Sequence, residues 1–392
     1  MKSFPLVKCP YCFETIKYNN AVFRCNSGEK RVDEYLRTFN IENGNEAFER
    51  EDFGFVDPAD LSPQQITIDS EKHITGVENP NLAMHLPLQQ RLCPYCHNEL
   101  LRSFGKKETR YIAVVGVPNS GKTTYLAAVN NSMRRKNWNW ISLNSEKSSP
   151  LDIVTDLYSA NQIKTKVATE SIQGPYFYSL NYAGENTKES MESHIVFFDV
   201  PGEFYSNADK ITNSLANFLS EADGIIFIVN SAEELEYQKA IQDGSSKKLI
   251  RVNDILEAFE QAGITKNKKT AIIFNKIDLI EDEIGLDPRL AIFPRPTDRI
   301  INEQEIDELS RNTVSLILGD GAANPNSTQI ALNRYMKKIT QVFGTDCRVF
   351  ATRLIRECGN DSDSYVFNSD GAETPFLWLL SKIGVFPVDE AR

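Results

Sequence analysis

Residues 111–124 read YIAVVGVPNSGKTT, and the fold follows from how this stretch divides. Residues 111–115 are a continuous apolar run of the strand-forming type, and KTTYLAAV from Lys122 onward reads as a helix. Between them Gly116, Gly121, Lys122 and Thr123 fit the spacing GxxxxGK[ST] in full. A strand that turns through glycines into a helix presents backbone N–H groups at the helix start, and such groups cradle phosphate. Gly116, Asn119, Ser120, Gly121 and Thr124 would form that cradle. Lys122 would reach the β- and γ-phosphates and serve the chemistry, and the Thr123 hydroxyl would bind Mg²⁺. A chance glycine-rich turn is the competing reading, and the flanking strand and helix argue against it.

Outward from this loop, strand-like runs at 111–115, 176–181, 195–199, 224–230, 270–275 and 347–352 alternate with helix candidates. The helices are expected at 122–135, 211–221, 248–262, 303–318, 329–343 and 374–383. Alternation of this kind predicts an α/β fold, with a mostly parallel sheet and helices on both faces. Near-continuous Val, Ile, Phe and Tyr runs fit strands covered on both sides. Residues 284–300, with three prolines, read as an irregular insertion after the fifth strand.

Two further motifs follow the loop in strand order. Residues 194–198 run into Asp199-Val-Pro-Gly202, where a carboxylate at a strand end would hold Mg²⁺ and the Gly202 N–H would meet the γ-phosphate. Alone, this is also a plain turn. Asn275-Lys276-Ile-Asp278 ends the strand run AIIF. A carboxylate at Asp278 accepts hydrogen bonds from guanine N1–H and its exocyclic amine together, a donor pair that adenine lacks. Asn275 would tie this loop to the phosphate loop, and the Lys276 stem would cover the ring.

Residues 110–384, on the strength of GVPNSGKT, DVPG and NKID, resemble the translation-factor-related class of P-loop GTPases, which includes Ras-like and Era-like proteins. The resemblance implies a Ras-like domain that binds GTP or GDP with Mg²⁺, hydrolyses GTP, and orders two switch loops around the γ-phosphate. The loop GVPNSGKTT is most similar to that of the Era-like branch. There the asparagine helps hold a potassium ion, so K⁺-stimulated hydrolysis through Asn119 is implied; the alternative is an asparagine that only shapes the loop. A looser similarity links the chain to bacterial conflict-system GTPases that carry zinc knuckles.

The chain departs from the family pattern at Glu203, where Ras-like members have a water-positioning glutamine. Either this acid orients water or it is an exposed switch acid, and slow intrinsic hydrolysis is expected. The switch threonine is Thr169 or Thr165, with Thr169 preferred. The loop capping the guanine reads as 350–352 or 351–353, so Ala351 and Thr352 are its common members.

In front of this domain, Cys9-Pro-Tyr-Cys12 and Cys93-Pro-Tyr-Cys96 repeat one knuckle motif. Four thiolates of this kind suit one tetrahedral Zn²⁺, with Cys25 or His97 as substitute ligands. The 80 residues between Cys12 and Cys93 far exceed the usual separation. A redox CxxC wants a thioredoxin-like βαβ context, which is missing here. The expected organisation is a zinc-ribbon-like module at 1–101 with a long polar insert, a basic connector at 102–110, and a GTPase domain at 111–392.

Composition bounds the rest. The chain has 392 residues, 41% of them hydrophobic and 25% charged, which is ordinary for a globular protein. Its net charge of −11 argues against a nucleic-acid partner, and the 13–92 insert, with fourteen acids against eight Lys or Arg, suits a protein partner better. No signal peptide or membrane span is read, so a cytoplasmic protein is expected. The leading expectation is a Mg²⁺-dependent GTPase switch. Its rivals are a static GTP-binding zinc-ribbon module and an ATPase in which NKID is accidental.

Overall fold

The computed structural model describes residues 6–26, 33–42, 53–78, 88–135, 141–145, 150–160, 175–183, 190–199, 218–242, 250–261, 268–286, 292–294, 302–320, 324–357 and 365–386. The chain divides into two compact units, Met1–Thr109 with Thr212–Phe218, and Arg110–Ile211 with Leu219–Arg392.

The smaller unit is built from short antiparallel strands: β1 (Val7–Lys8), β2 (Thr15–Ile16), β3 (Val22–Asn26), β4 (Phe53–Val56), β5 (Ile66–Ile68), β6 (Ile74–Val77), β7 (Arg91–Leu92) and β8 (Glu99–Leu100). They form a four-stranded sheet in the order β4-β3-β7-β8 and the hairpins β1–β2 and β5–β6, with helix α1 (Glu34–Glu42) beside them. Val7, Ile16, Tyr18, Val22, Leu92, Leu100 and Phe104 are buried here, as are Phe23, Cys25, Val56 and Val77, which form one cluster, and buried polar contacts join them. Arg91 is 1% exposed. Its Nη1 donates to the carbonyls of Leu101, Arg102 and Phe104, its Nη2 donates to that of Tyr18 at 2.6 Å, and its guanidinium lies 3.6 Å from the centre of the Tyr18 ring. Burial lowers its pKa to about 10, so it stays charged at neutral pH.

The larger unit centres on β9 (Glu108–Gly116). The other strands are β10 (Ile141–Ser145), β11 (Pro175–Ala183), β12 (Ser190–Asp199), β13 (Gly224–Asn230), β14 (Lys269–Asn275) and β15 (Cys347–Ala351). They form one seven-stranded sheet in the order β10-β11-β12-β9-β13-β14-β15. β9, β13, β14 and β15 pair in parallel, and β10, β11 and β12 pair antiparallel. Burial explains the composition of each part. Every residue of β13 is buried, as a strand roofed on both faces requires, whereas β11 alternates, with Tyr176, Tyr178, Leu180 and Tyr182 inward. A small hairpin, β16 (Ile355–Glu357) with β17 (Tyr365–Phe367), follows.

Among the described residues the helices include α2 (Lys122–Arg135), α3 (Pro150–Ser159), α4 (Glu233–Gln242), α5 (Val252–Gln261), α6 (Glu303–Ile317), α7 (Ser327–Phe343) and α8 (Glu373–Lys382). Ile112, Val114, Ile226 and Ile228 point to one face and pack with Tyr125 of α2 and Phe376 and Trp378 of α8. On the other face Phe227 meets Phe343 of α7 at 5.8 Å, and Phe259 of α5 meets Phe343 at 5.7 Å. Each such side chain contributes about 1.5–3 kcal/mol on burial, against about 0–1 for an exposed ion pair, so this layered core outweighs the surface charges.

Five of the six expected strand runs lie within strands of this sheet, and the sixth, 347–352, runs one residue past the end of β15. β10, α3 and α4 were not anticipated. Residues 218–221 of the expected helix at 211–221 are helical, and 211–217 lie outside the described residues. Within the stretch read as an irregular insertion, Ile292 is 1% exposed, and the Pro294 carbonyl sits where a Cβ on Gly371 would be 1.9 Å away. The described part of that stretch is therefore packed against the domain. Among the described residues, no helix is long and apolar enough to cross a membrane.

Candidate functional site

Chain order sets where a ligand can bind. After β9 the chain builds the sheet on one side, through β10, β11 and β12, and then crosses to lay β13, β14 and β15 on the other. In open α/β sheets the crevice at such a reversal, outside the carboxyl ends of the strands, is the ligand site. The register aligns those ends: Ile228 pairs with Gly116, Asn230 with Asn275, and Phe274 with Ala351. Gly116, Asn275 and Ala351 thus share one edge of the sheet.

The loop after β9 has the geometry of an anion cradle. Asn119 (φ 64°) and Gly121 (φ 90°) are left-handed on either side of Ser120, whose N–H donates to the Val117 carbonyl at 3.1 Å, and this alternation turns the chain into the start of α2, as in anion-binding nests. A Cβ on Gly121 would lie 2.3 Å from Asn275 Nδ2, and one on Gly116 would lie 2.4 Å from the Ile228 carbonyl oxygen. Glycine is required at both places by close approach. The Lys122 ammonium folds over the loop, donating to the carbonyls of Gly116 at 2.9 Å and Val117 at 3.0 Å. Thr123 is half-buried in the first turn of α2. The Thr124 hydroxyl is 2.9 Å from that of Tyr158 and belongs to the α2–α3 contact.

Asn275, 4% exposed, joins three segments. Its Nδ2 donates to the Ser120 carbonyl at 2.9 Å, and its Oδ1 accepts from the Thr352 hydroxyl at 3.0 Å. Lys276 is left-handed (φ 62°), and its ammonium donates to Glu236 Oε1 at 2.8 Å; Glu236 Oε2 accepts from Asn230 Nδ2 at 2.8 Å. Asp278 lies in the single helical turn Ile277–Leu279, and burial pushes its carboxyl above the usual aspartate range. The Thr352 N–H donates to the Phe274 carbonyl at 2.8 Å, so it continues the sheet rather than facing a base. Arg353 and Leu354 are the next residues whose N–H groups are available at this edge. Arg353 belongs to the second of the two registers read from the sequence, 351–353, whereas Leu354 lies beyond both.

Other expected residues are less defined. Asp199 is the last residue of β12, the strand beside β9. Thr169 and Thr165, and Gly202 with Glu203, lie outside the described residues.

The smaller unit carries a second candidate site. The Sγ atoms of Cys9, Cys12, Cys93 and Cys96 all lie within 4.8 Å of one another. Each CPYC is the turn of a hairpin, β1–β2 and β7–β8 respectively, and the two turns repeat one hydrogen-bond pattern. Phe13 N–H donates to the Cys9 carbonyl and His97 N–H to that of Cys93; Cys9 N–H donates to Glu14 and Cys93 N–H to Asn98. Phe13 and His97, each following the second cysteine, are both left-handed. Tyr11 and Tyr95 N–H groups donate to the Cys9 and Cys93 sulfurs at 3.4 Å. Hydrogen bonds from Cys12, Cys9 and Cys96 hold the Cys93 thiol below its ordinary range, whereas burial pushes Cys9 up. Four sulfurs this close cannot all ionise without a cation among them, and the donor set suits a tetrahedral metal.

The two alternative ligands are otherwise engaged. His97 Nδ1 is 2.9 Å from Asp33 Oδ1, and its ring stacks on Tyr35 at 4.4 Å. Cys25 packs in the small apolar cluster.

Residues 110–324 match a protein-family model described as Double-GTPase 2. No curated protein matches the chain. The matched stretch contains the glycine loop, Asp199 and the NKID segment, and it stops short of β15.

Proposed function

From the premise that the chain belongs to the Double-GTPase 2 family, we propose a Mg²⁺-dependent GTP-hydrolysing switch that acts on a protein partner. The observation that carries this reading is the Asn275 bridge, which fixes the NKID turn against the glycine loop at the edge where the strand order reverses. A base-reading turn and a phosphate cradle held at fixed separation are what a nucleoside phosphate requires.

In this reading the backbone N–H groups of Gly121, Lys122, Thr123 and Thr124, with that of Asn119, hold the phosphates, Lys122 neutralises charge that builds on the β–γ bridge, and Asp278 reads the guanine edge. Lys276, with Glu236 holding its ammonium, lays its stem over the ring. Base capping falls to the Arg353 or Leu354 N–H. Thr123 and Asp199 fit Mg²⁺, being oxygen ligands from the α2 start and the end of the adjacent strand; bound there, the ion would offset phosphate charge. Gly202 senses the γ-phosphate, with Glu203 and Thr169 completing the switch. Catalysis is mainly positioning and charge stabilisation. The four cysteines would hold one structural Zn²⁺, and the acid-rich insert would meet the protein partner.

The test is GTP turnover by the purified chain, with and without Mg²⁺ and in K⁺ against Na⁺, beside Lys122→Ala. Turnover that needs Mg²⁺ and is lost in the variant supports the reading, and a K⁺ preference adds a role for Asn119. Tight GTP binding with no turnover, alone or with cell extract, would replace the switch by a static nucleotide module.

A further inference from the structure

Asp278 presents a carboxylate that, among the described residues, bonds to no other side chain. Three charged groups act on it: Lys276 in the same loop, Glu281 three positions on, and Arg353 from the segment after β15. Lys276 is engaged with Glu236. Arg353 is engaged with Glu281, Nη1 to Oε1 at 3.0 Å, and its guanidinium lies 4.3 Å from the centre of the Phe293 ring. Phe293 sits between the buried Ile292 and Pro294, which packs on Gly371.

The arrangement has two electrostatic consequences. A guanidinium released beside a lone carboxylate pairs with it, often through two parallel hydrogen bonds, and would occupy the two oxygens that a base must reach. A second carboxylate left uncompensated near Asp278 favours its protonated form, which cannot accept two hydrogen bonds at once. Glu281 prevents the first outcome by engaging Arg353, and Arg353 prevents the second by neutralising Glu281.

We propose that Glu281 and Arg353 form a mutually neutralising pair whose role is to keep the Asp278 carboxylate open and ionised for the base. They are positioning residues for base selection, and this inference rests on the guanine reading of Asp278. Neither belongs to the NKID motif. Phe293 holds the guanidinium plane, which gives the proline-rich segment a part in the site.

The test is a four-member cycle of fluorescent GDP affinities at pH 6 and pH 8: the full chain, Glu281→Gln, Arg353→Met and the double variant, with thermal melts on each and Asp278→Ala as control. Glu281→Gln is expected to weaken GDP about tenfold at both pH values as Arg353 turns to Asp278. Arg353→Met is expected to weaken it more at pH 6 than at pH 8. The double variant should recover to within about threefold of the parent, because each single change removes the other's harm. Single variants that bind as the parent does, or a double variant no better than the weaker single, would overturn the pair. If Asp278→Ala binds GDP as tightly as the parent, the guanine reading itself fails. If it loses GDP while the cycle shows no rescue, only the pair fails.

Discussion

Asn275 Nδ2 donates to the Ser120 carbonyl at 2.9 Å, joining residues 155 positions apart in the chain. The same amide accepts from the Thr352 hydroxyl, so one buried side chain fixes the glycine loop, the NKID turn and the end of β15. Asn275→Ala leaves the Ser120 carbonyl and the Thr352 hydroxyl unpartnered in a buried place, at about 1–3 kcal/mol. GDP affinity should fall at least tenfold while the fold survives. Titration with fluorescent GDP and a melting curve check both parts.

Guanine binding should weaken on acidification sooner than an ordinary aspartate would dictate. Burial raises the Asp278 pKa first of all, and Glu281 adds to the rise, while Lys276 and Arg353 oppose it. On the proposed guanine reading of Asp278 the base needs the ionised form, so affinity is full above that raised value and is lost as pH falls through it. Below it, each pH unit costs about tenfold. GDP affinities followed downward from pH 8 should show this limb at a higher pH than an ordinary aspartate gives, and Asp278→Asn should bind GDP weakly without it.

The four-cysteine cluster should hold one zinc per chain. Elemental analysis of protein purified without chelator checks the count, and X-ray absorption should show four sulfur neighbours near 2.3 Å. Cys93→Ser should lose the metal. His97→Ala should keep it, because that ring is committed to Asp33 and Tyr35.

Gly371 should not tolerate a methyl group. Its φ is +79°, and a Cβ there would lie 1.9 Å from the Pro294 carbonyl oxygen, a backbone atom with little room to give. Gly371→Ala is expected to cost about 1–3 kcal/mol. At about 2–4 °C per kcal/mol for a domain of this size, the melting temperature should drop by roughly 2–12 °C.

What was legible in the sequence was what repeats locally. The strand runs of β9, β13 and β14 are almost wholly apolar because both faces are covered, and α5 shows its stripe in Val252, Leu256 and Phe259. Helix α4 escaped notice because its partners are polar: Glu233 accepts from the Val252 N–H, Glu234 pairs with Arg251, and Glu236 meets Asn230 and Lys276. Such pairings leave no hydrophobic period to read. The stripe of α3, Leu151, Val154 and Tyr158, is too short to stand out, and β10 offers five residues. At the site, GxxxxGK[ST] and NKID were visible because their spacing is fixed by contiguous backbone. The Glu281–Arg353 pair spans 72 positions and obeys no local spacing, so only the folded chain brings it into view.

The meeting of the two knuckles also bears on how the smaller unit tolerates change in length. Cys12 and Cys93 Sγ are 3.7 Å apart, so the 80 residues between them form a ring closed at the cysteines. Once a metal clasps that ring, the unfolded chain loses the freedom of a long loop, by about 4–5 kcal/mol on the entropic account of cross-links. That quantity grows only with the logarithm of ring size, about 0.6 kcal/mol for each doubling. Segments can therefore be added to or trimmed from this ring, away from β3, β4 and β7, with almost no change in the stability of the clasp.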